Sequence, residues 1–238
     1  MRIERPIIAL DFPDRNETVQ FLSEFPKDES LFVKIGMELY YSEGTDMVRE
    51  IKAMGHDVFL DLKCHDIPHT VESAMKVLGK IGVDLTTLHA SGGSEMMAAA
   101  KSGMLDGSNG KQTARLLAIT QLTSTNQQMV EEEQLVSVPL KESVLNYARL
   151  AKKSGMDGVV CSAQEARIIA AETGKNFLRV TPGIRLAGGA SGDQKRVMTP
   201  DEAARNQSSA IVVGRAITQA KDRVKTYQTV KKLWEDAK

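Results

Sequence analysis

The stretch VFLDLKCHDIPHT, residues 58–70, carries the clearest structural signal in this chain. Its first three residues are apolar, and they predict a buried strand. Residues two apart on a strand share a face, so Asp61 and Lys63 point to one side at its carboxyl end, and Asp66 follows where the chain turns. Because buried charges are costly unless they are paired, the cluster indicates a site at the strand terminus. A plain salt bridge that ends the strand is the alternative.

Seven further apolar runs resemble this strand, and segments with a helical pattern lie between them. Together the predicted strands are 7–12, 31–36, 58–63, 84–89, 116–122, 158–161, 178–181 and 210–214. Most are continuous apolar runs, which are typical of parallel strands covered on both faces. Apolar periodicity, N-cap residues and terminal glycines predict helices over 16–25, 45–54, 69–81, 93–102, 140–154, 163–172 and 199–206.

Eight β–α units in a chain of 238 residues predict an α/β protein, a (β/α)8 TIM barrel that forms a single domain over residues 1–238. A doubly wound open sheet is the alternative architecture. The methionines at 96, 97 and 104 are interpreted as core residues, because methionine fills irregular gaps between helices and strands.

Composition argues against several classes of partner. Lys and Arg together number 31, as do Asp and Glu, so no overall basic field favours nucleic acid or an anionic membrane. The chain shows no signal-peptide pattern and no apolar run near the ~20 residues of a membrane helix. Cys64 and Cys161 lack metal-motif spacing and fit a reducing compartment. We therefore expect a cytoplasmic protein that acts on a small molecule.

Polar residues recur at the predicted carboxyl ends of the strands, where barrel active sites lie. Lys34 stands inside an apolar run and needs partners, which Asp11 and Asp61 on the flanking strands can supply. The loops after strands 7 and 8 of a barrel often hold a phosphate, and Gly214 and Arg215 suit that task. The glycine-rich loop 186–194 is interpreted as a lid that closes on a ligand, with a disordered surface loop as the alternative.

These residues resemble the orotidine 5'-phosphate decarboxylases, in particular their bacterial, single-function form. The resemblance covers essentially the whole chain and rests on Ala-Leu-Asp at 9–11, Lys34, Asp-x-Lys-x-x-Asp-Ile-Pro-x-Thr at 61–70, Thr-Pro-Gly-Ile-Arg at 181–185, Gln194 and Gly-Arg at 214–215. It implies decarboxylation of orotidine 5'-monophosphate to UMP and CO₂ without a cofactor or metal. It also implies a homodimer with its sites at the subunit interface.

The resemblance further implies roles for single residues. Lys34, Asp61 and Lys63 match the catalytic charges of one subunit, and Asp66 matches a catalytic charge that reaches the neighbouring site. Asp61 and Pro182 are also substrate-binding matches. The others are Asp11 and Lys34 at the ribose, Thr123 and Ser124 at the pyrimidine, Ile67 and Thr70 from the neighbouring subunit, and Arg185, Gln194, Gly214 and Arg215 at the phosphate. In this reading the Lys63 ammonium stabilises and then protonates a carbanion at C6.

Two other functions share part of the pattern. A metal-dependent sugar-phosphate decarboxylase or aldolase resembles the chain at Asp-x-Lys-x-x-Asp, but it carries an acidic metal ligand where this chain has Lys34. A barrel that binds UMP without catalysis is the second. His65 and His69 lack a zinc spacing, and His89 is interpreted as a rim residue and not as a base. Cys64 is expected to point away from Lys63, and Cys161 to lie in the core.

Overall fold

The computed structural model describes residues 2–110, 114–187 and 197–237. Parallel strands close into a barrel in chain order, with the last strand beside the first. In this part of the chain the strands are β1 (Ile7–Leu10), β2 (Phe32–Ile35), β3 (Asp57–Cys64), β4 (Leu85–His89), β5 (Arg115–Ile119), β6 (Gly158–Val160), β7 (Leu178–Thr181) and β8 (Ala210–Val213). The predicted TIM barrel is confirmed, and the open sheet is wrong.

Alternation along the strands explains why their sequences are apolar throughout. One set of alternate residues fills the barrel interior, as Ile7, Phe59 and Leu117 do. The set between them, including Ile8 and Leu60, packs against the surrounding helices. Several strands end earlier than predicted, and residues that follow them, such as Asp11 and Gln121, lie beyond the paired ladder and line the cavity at the rim. Every second side chain therefore continues to point inward past the end of its strand, so that these side chains meet at the rim.

Helices follow the strands and cover the barrel. Among the described residues they are α1 (Arg15–Ser23), α2 (Met37–Ala53), α3 (Pro68–Ile81), α4 (Gly93–Gly107), α5 (Leu140–Lys153), α6 (Ala166–Thr173), α7 (Pro200–Arg205), α8 (Arg215–Thr218) and α9 (Arg223–Asp236). Their ends show the expected chemistry: the Asp14 carboxylate accepts the Glu17 N–H at 3.0 Å, and Thr199 and Glu202 form a capping box.

Three helix predictions are corrected. Helix α2 begins at Met37 and not at 45, with a kink at Gly44, whose φ is 67°. Helix α4 continues past the predicted end at 102. Gly103 does not end the helix; its lack of a side chain allows α3 to pack closely against α4. Helix α9 was not predicted, although Tyr227, Val230 and Trp234 are spaced to share a buried face.

The core agrees with the sequence interpretation. Met96, Met97 and Met104 are fully buried among the helices and strands. The Trp234 indole donates to the Ile3 carbonyl at 3.1 Å, which ties α9 to the start of the described chain. In the described ranges, every helix is too short or too polar to cross a membrane.

Candidate active site

A cavity of about 260 Å³ opens at the carboxyl ends of the strands. It is lined by Ala9, Asp11, Lys34, Asp61, Lys63, Ile119, Gln121, Leu122, Thr123, Val160, Cys161, Pro182, Gly183, Arg185, Val212, Gly214 and Arg215. Its floor is apolar and its wall is charged. Barrel strands deliver inward-facing side chains to this position, so the cavity lies where the fold predicts a site.

Charges of alternating sign run along the β1–β3 side of the cavity. Lys63 Nζ lies 2.8 Å from Asp61 Oδ2, and Lys34 Nζ lies 3.9 Å from the same oxygen. Lys34 Nζ also lies 3.3 Å from Asp11 Oδ1. The Lys34 and Asp61 side chains are each only 13 % exposed, and the partners of opposite sign offset the cost of removing them from water. We call Asp11, Lys34, Asp61 and Lys63 the charged row.

The backbone at the end of β3 is irregular where it carries this row. The pairing of β3 with β4 shifts register between Leu60 and Cys64. Within this shift Lys63 adopts a left-handed conformation with φ of 55°, which non-glycine residues rarely take. Such strain persists only where surrounding contacts impose it, and it often marks a functional position.

Two arginines follow β7 and β8 on the other side of the cavity. Arg185 and Arg215 both line it, and the Arg185 backbone N–H is held by the Met198 carbonyl at 3.0 Å. Burial, and then the nearby Arg215 charge, lower the pKa of the Arg185 guanidinium. Two guanidinium groups beside one cavity have the charge and the donor geometry that suit an anion with several oxygens.

Most predicted site residues lie together. The cavity includes Asp11, Lys34, Asp61, Lys63, Thr123, Pro182, Arg185, Gly214 and Arg215. Ser124 is exposed and does not line it. Asp66, Ile67 and Thr70 are exposed where α3 begins, and they do not line it either. Gln194 and most of the loop 186–194 lie outside the described residues.

Sequence reasoning missed two polar residues near the site. The Gln121 amide is buried and donates to Gln134 at 2.9 Å and to Ser143 at 3.0 Å. Gln121 lies two positions beyond the inward-facing Ile119, so strict alternation along β5 would have identified it. Thr87, on β4, forms hydrogen bonds with Asp61 and Lys63 of the charged row. Alternation separates it from Thr86, but no pattern in the sequence shows that the register of β3 brings these two residues to its hydroxyl.

His89 and Cys64 lie beside the site, and Cys161 lines it. His89 lines a neighbouring cavity of about 390 Å³, and burial, together with His65 and Lys63, lowers its pKa. Cys64 packs against the apolar residues between the strands and the helices, as predicted, and burial raises the pKa of its thiol. Cys161 is buried, also as predicted. Across the described segments, no three His, Cys, Asp or Glu side chains are grouped to hold a metal ion.

A closed barrel with a charged row and two arginines at the carboxyl ends of its strands defines the class: a (β/α)8-barrel enzyme with a site for a small anionic molecule. The family model described as "Orotidine 5'-phosphate decarboxylase / HUMPS family" matches residues 4–230. The chain belongs to this family.

Individual relatives are similar over nearly their whole length. The orotidine 5'-phosphate decarboxylase of Ligilactobacillus salivarius is 65 % identical over 99 % of this chain and 100 % of its own. That of Lysinibacillus sphaericus is 58 % identical over 97 % of this chain and 98 % of its own. A crystal structure of the Lactobacillus acidophilus orotidine 5'-phosphate decarboxylase has a TM-score of 0.88, at 42 % identity, and covers 98 % of this chain and 99 % of that one.

Proposed function

We propose that this protein is a carboxy-lyase that converts orotidine 5'-monophosphate to UMP and CO₂, a step of pyrimidine biosynthesis. The family membership and the relatives' shared name support the reaction. The single observation that carries it is the Lys63 ammonium, held 2.8 Å from Asp61 in a cavity that also contains two arginines. A cation at one end of the cavity suits stabilisation of a negative charge on the pyrimidine, and the arginines suit binding of a phosphate, which supports the proposal.

The proposed chemistry follows from where charge develops. When the bond from C6 of the pyrimidine to the carboxylate carbon breaks, the electron pair remains on C6 and CO₂ leaves. The Lys63 ammonium stabilises this carbanion and then gives it a proton, which forms the C6–H bond of UMP. The neutral amine regains a proton from solvent. Asp61 holds the ammonium in place before the reaction, so little reorganisation is needed.

The remaining residues bind and orient the substrate. In this proposal Asp11 and Lys34 contact the ribose hydroxyls, and Thr123 and Ser124 lie toward the pyrimidine. Pro182, Arg185, Gln194, Gly214 and Arg215 form the phosphate end. The phosphate is remote from C6, yet its binding energy can align the ring with Lys63.

We also propose a homodimer in which each chain, acting as one domain, completes its partner's site. Asp66, Ile67 and Thr70 do not line the cavity of their own chain, although Asp66 is three residues from Lys63. Ile67 is 67 % exposed, which is unusual for an isoleucine beside charged residues and fits a covered interface. A cytoplasmic location stays a prediction.

The metal-dependent alternative is disfavoured by Lys34. Its ammonium lies between the carboxylates of Asp11 and Asp61, and this cation would repel a divalent metal from the acidic groups of the cavity. One assay of orotidine 5'-monophosphate turnover distinguishes the proposed enzyme from the metal-dependent enzyme and from a UMP-binding protein. Activity that a chelator abolishes would indicate metal chemistry, and tight UMP binding without turnover of orotidine 5'-monophosphate would indicate a binding protein.

The test is loss of orotidine absorbance when the purified protein meets orotidine 5'-monophosphate in the presence of a chelator. Lys63→Ala should lower kcat by at least about 10³-fold, because it removes both the cation and the proton donor. UMP affinity should change little and the variant should stay folded, although its melting temperature should fall because the Asp61 charge is left partly uncompensated. Lys27→Ala, at an exposed lysine, is the matched control and should behave as wild type. Near-wild-type turnover by Lys63→Ala would overturn the assignment.

A further inference from the structure

Thr87, on the inward face of β4, contacts two members of the charged row at once. Its hydroxyl donates to Asp61 Oδ1 at 2.8 Å and accepts the Lys63 backbone N–H at 3.0 Å. The residue is completely buried and does not line the cavity. We propose that Thr87 is a positioning residue for catalysis, acting through Asp61 and Lys63; this inference rests on the proposed function.

The direction of both hydrogen bonds is determined by their chemistry. A backbone N–H can only donate, so the Thr87 oxygen accepts from Lys63. A hydroxyl carries one proton, and Oδ1 of Asp61 accepts it. Thr87 therefore occupies Oδ1 of Asp61 and turns Oδ2 toward the two lysines, 2.8 Å from Lys63 Nζ and 3.9 Å from Lys34 Nζ.

The same hydroxyl supports the irregular backbone of β3. In a regular parallel ladder, a strand N–H donates to a carbonyl of its neighbour. Because the register with β4 shifts between Leu60 and Cys64, the Lys63 N–H is satisfied by the Thr87 side chain instead. This bond helps to hold Lys63 at its φ of 55°, which sets the direction in which its ammonium leaves the strand.

The Thr87 hydroxyl thus holds both the Asp61 carboxylate and the backbone of Lys63, which carries the ammonium group. Catalysis by preorganised charge depends on such placement, since an error of about 1 Å can cost on the order of 10²-fold in rate. In the proposed function, substrate binding rests on groups that Thr87 does not touch, namely Asp11, Lys34 and the arginines after β7 and β8. Loss of the Thr87 hydroxyl should therefore lower kcat much more than it weakens binding.

Thr86 provides a matched control one residue away. It is also completely buried on β4, but it faces the helices, and within the described chain its hydroxyl has no hydrogen-bond partner. Thr86→Val and Thr87→Val make the same chemical change at the same burial. Only the second removes contacts with the charged row.

The experiment measures kcat, KM, the Kd of UMP and melting temperature for wild type, Thr87→Val, Thr87→Ser, Thr87→Cys and Thr86→Val. Thr87→Val should lower kcat on the order of 10²-fold, with little change in KM or in the Kd of UMP. Thr87→Ser keeps the hydroxyl and should restore most of kcat. Thr87→Cys, a weak donor and acceptor, should be intermediate, and Thr86→Val should match wild type.

Equal kcat in the two valine variants would refute the positioning role while leaving the proposed function intact. So would a Thr87→Val variant whose kcat, UMP affinity and melting temperature all fall together with no recovery in Thr87→Ser, since that pattern indicates a purely structural residue. If Thr87→Val does not fold, the order of kcat from Thr87→Ser to Thr87→Cys decides, and equal values refute the proposal. Absence of turnover by the wild type would contradict the proposed function itself.

Discussion

Asp61 bridges two lysines and a threonine, and this arrangement explains how four charged side chains can lie together at a barrel rim. An isolated buried charge is strongly unfavourable, whereas charges of alternating sign offset one another's desolvation. Each member of the charged row touches a neighbour of opposite sign, with nitrogen–oxygen distances of 2.8, 3.9 and 3.3 Å. Removing one member leaves the charges of its neighbours partly uncompensated. The changes in stability caused by two substitutions in the row should therefore not add up when the two are combined.

His56 leads to a prediction about pH at the scale of one residue. Its unprotonated Nδ1 accepts the Leu31 backbone N–H at 3.2 Å in a buried position. Burial, and then the Arg5 charge, lower the pKa of His56 below its ordinary 6.5. The folded state therefore favours the neutral imidazole. Its contribution to the free energy of unfolding is complete at pH values above the pKa of His56 in the unfolded chain, about 6.5. This contribution is lost as the pH falls from about 6.5 through the lower pKa of His56 in the folded protein.

We expect the wild type to lose roughly 2–4 °C in melting temperature from this site between neutral and mildly acidic pH, since about 1 kcal/mol of hydrogen bonding is at stake. His56→Asn keeps an acceptor near Nδ1 but does not titrate in this range. The comparison of wild type and His56→Asn at several pH values isolates the contribution of the imidazole. Parallel curves for the two proteins would contradict it.

At the scale of elements, α3 and α4 approach so closely that their backbones touch. A Cβ on Gly103 would lie 2.1 Å from the Glu72 carbonyl oxygen, and one on Gly107 would lie 2.1 Å from that of Lys76. These glycines are four residues apart, so they share one face of α4. Because α3 begins directly after Asp66 and Ile67, this contact also helps to place the residues proposed to reach the partner's site.

Gly103→Ala should therefore destabilise the protein by about 1–3 kcal/mol, although alanine is the better helix former, because the helices must separate to admit a methyl group. Thermal or urea unfolding measures the change. Ser102→Ala, at the exposed neighbouring position of the same helix, is the control and should leave stability unchanged or slightly raised. A Gly103→Ala variant as stable as this control would show that the helices can move apart at little cost.

At the scale of the whole molecule, the proposed dimer predicts complementation between inactive subunits. Lys63→Ala and Asp66→Ala chains should each be inactive as homodimers. In a mixed dimer, one site receives Lys63 from one chain and Asp66 from the other, so it is complete. If subunits mix at random, co-expression should restore about one quarter of wild-type activity, since half of the dimers are mixed and one site in each is intact.

The matched control is co-expression of Lys63→Ala with Lys34→Ala. Both residues belong to the site of a single chain, so no mixed dimer has an intact site and the mixture should stay inactive. Activity in this control, or no activity in the Lys63→Ala and Asp66→Ala mixture, would contradict the proposal that each site takes Lys63 from one chain and Asp66 from the other. Sedimentation or light scattering of the wild type would report the oligomeric state directly.

Local patterns in the sequence determined the barrel and the charged row. Continuous apolar runs identify strands covered on both faces, and alternation along them carries Asp11, Lys34 and Asp61 to one rim in any parallel barrel. Helix ends were predictable wherever capping chemistry is local, as at Asp14 and Thr199. These features depend only on neighbours within a few residues, so the chain encodes them one element at a time.

Only the tertiary structure decided how elements meet. Gly103 reads as a helix end in the sequence, but the approach of α3 makes it a contact residue within α4. Thr86 and Thr87 are the same residue type, and alternation turns Thr87 toward the barrel interior and Thr86 toward the helices. Only the shifted register of β3 against β4 brings the Lys63 backbone N–H to the Thr87 hydroxyl. Such differences arise because register and helix separation are set by the joint packing of many side chains, which no single segment contains.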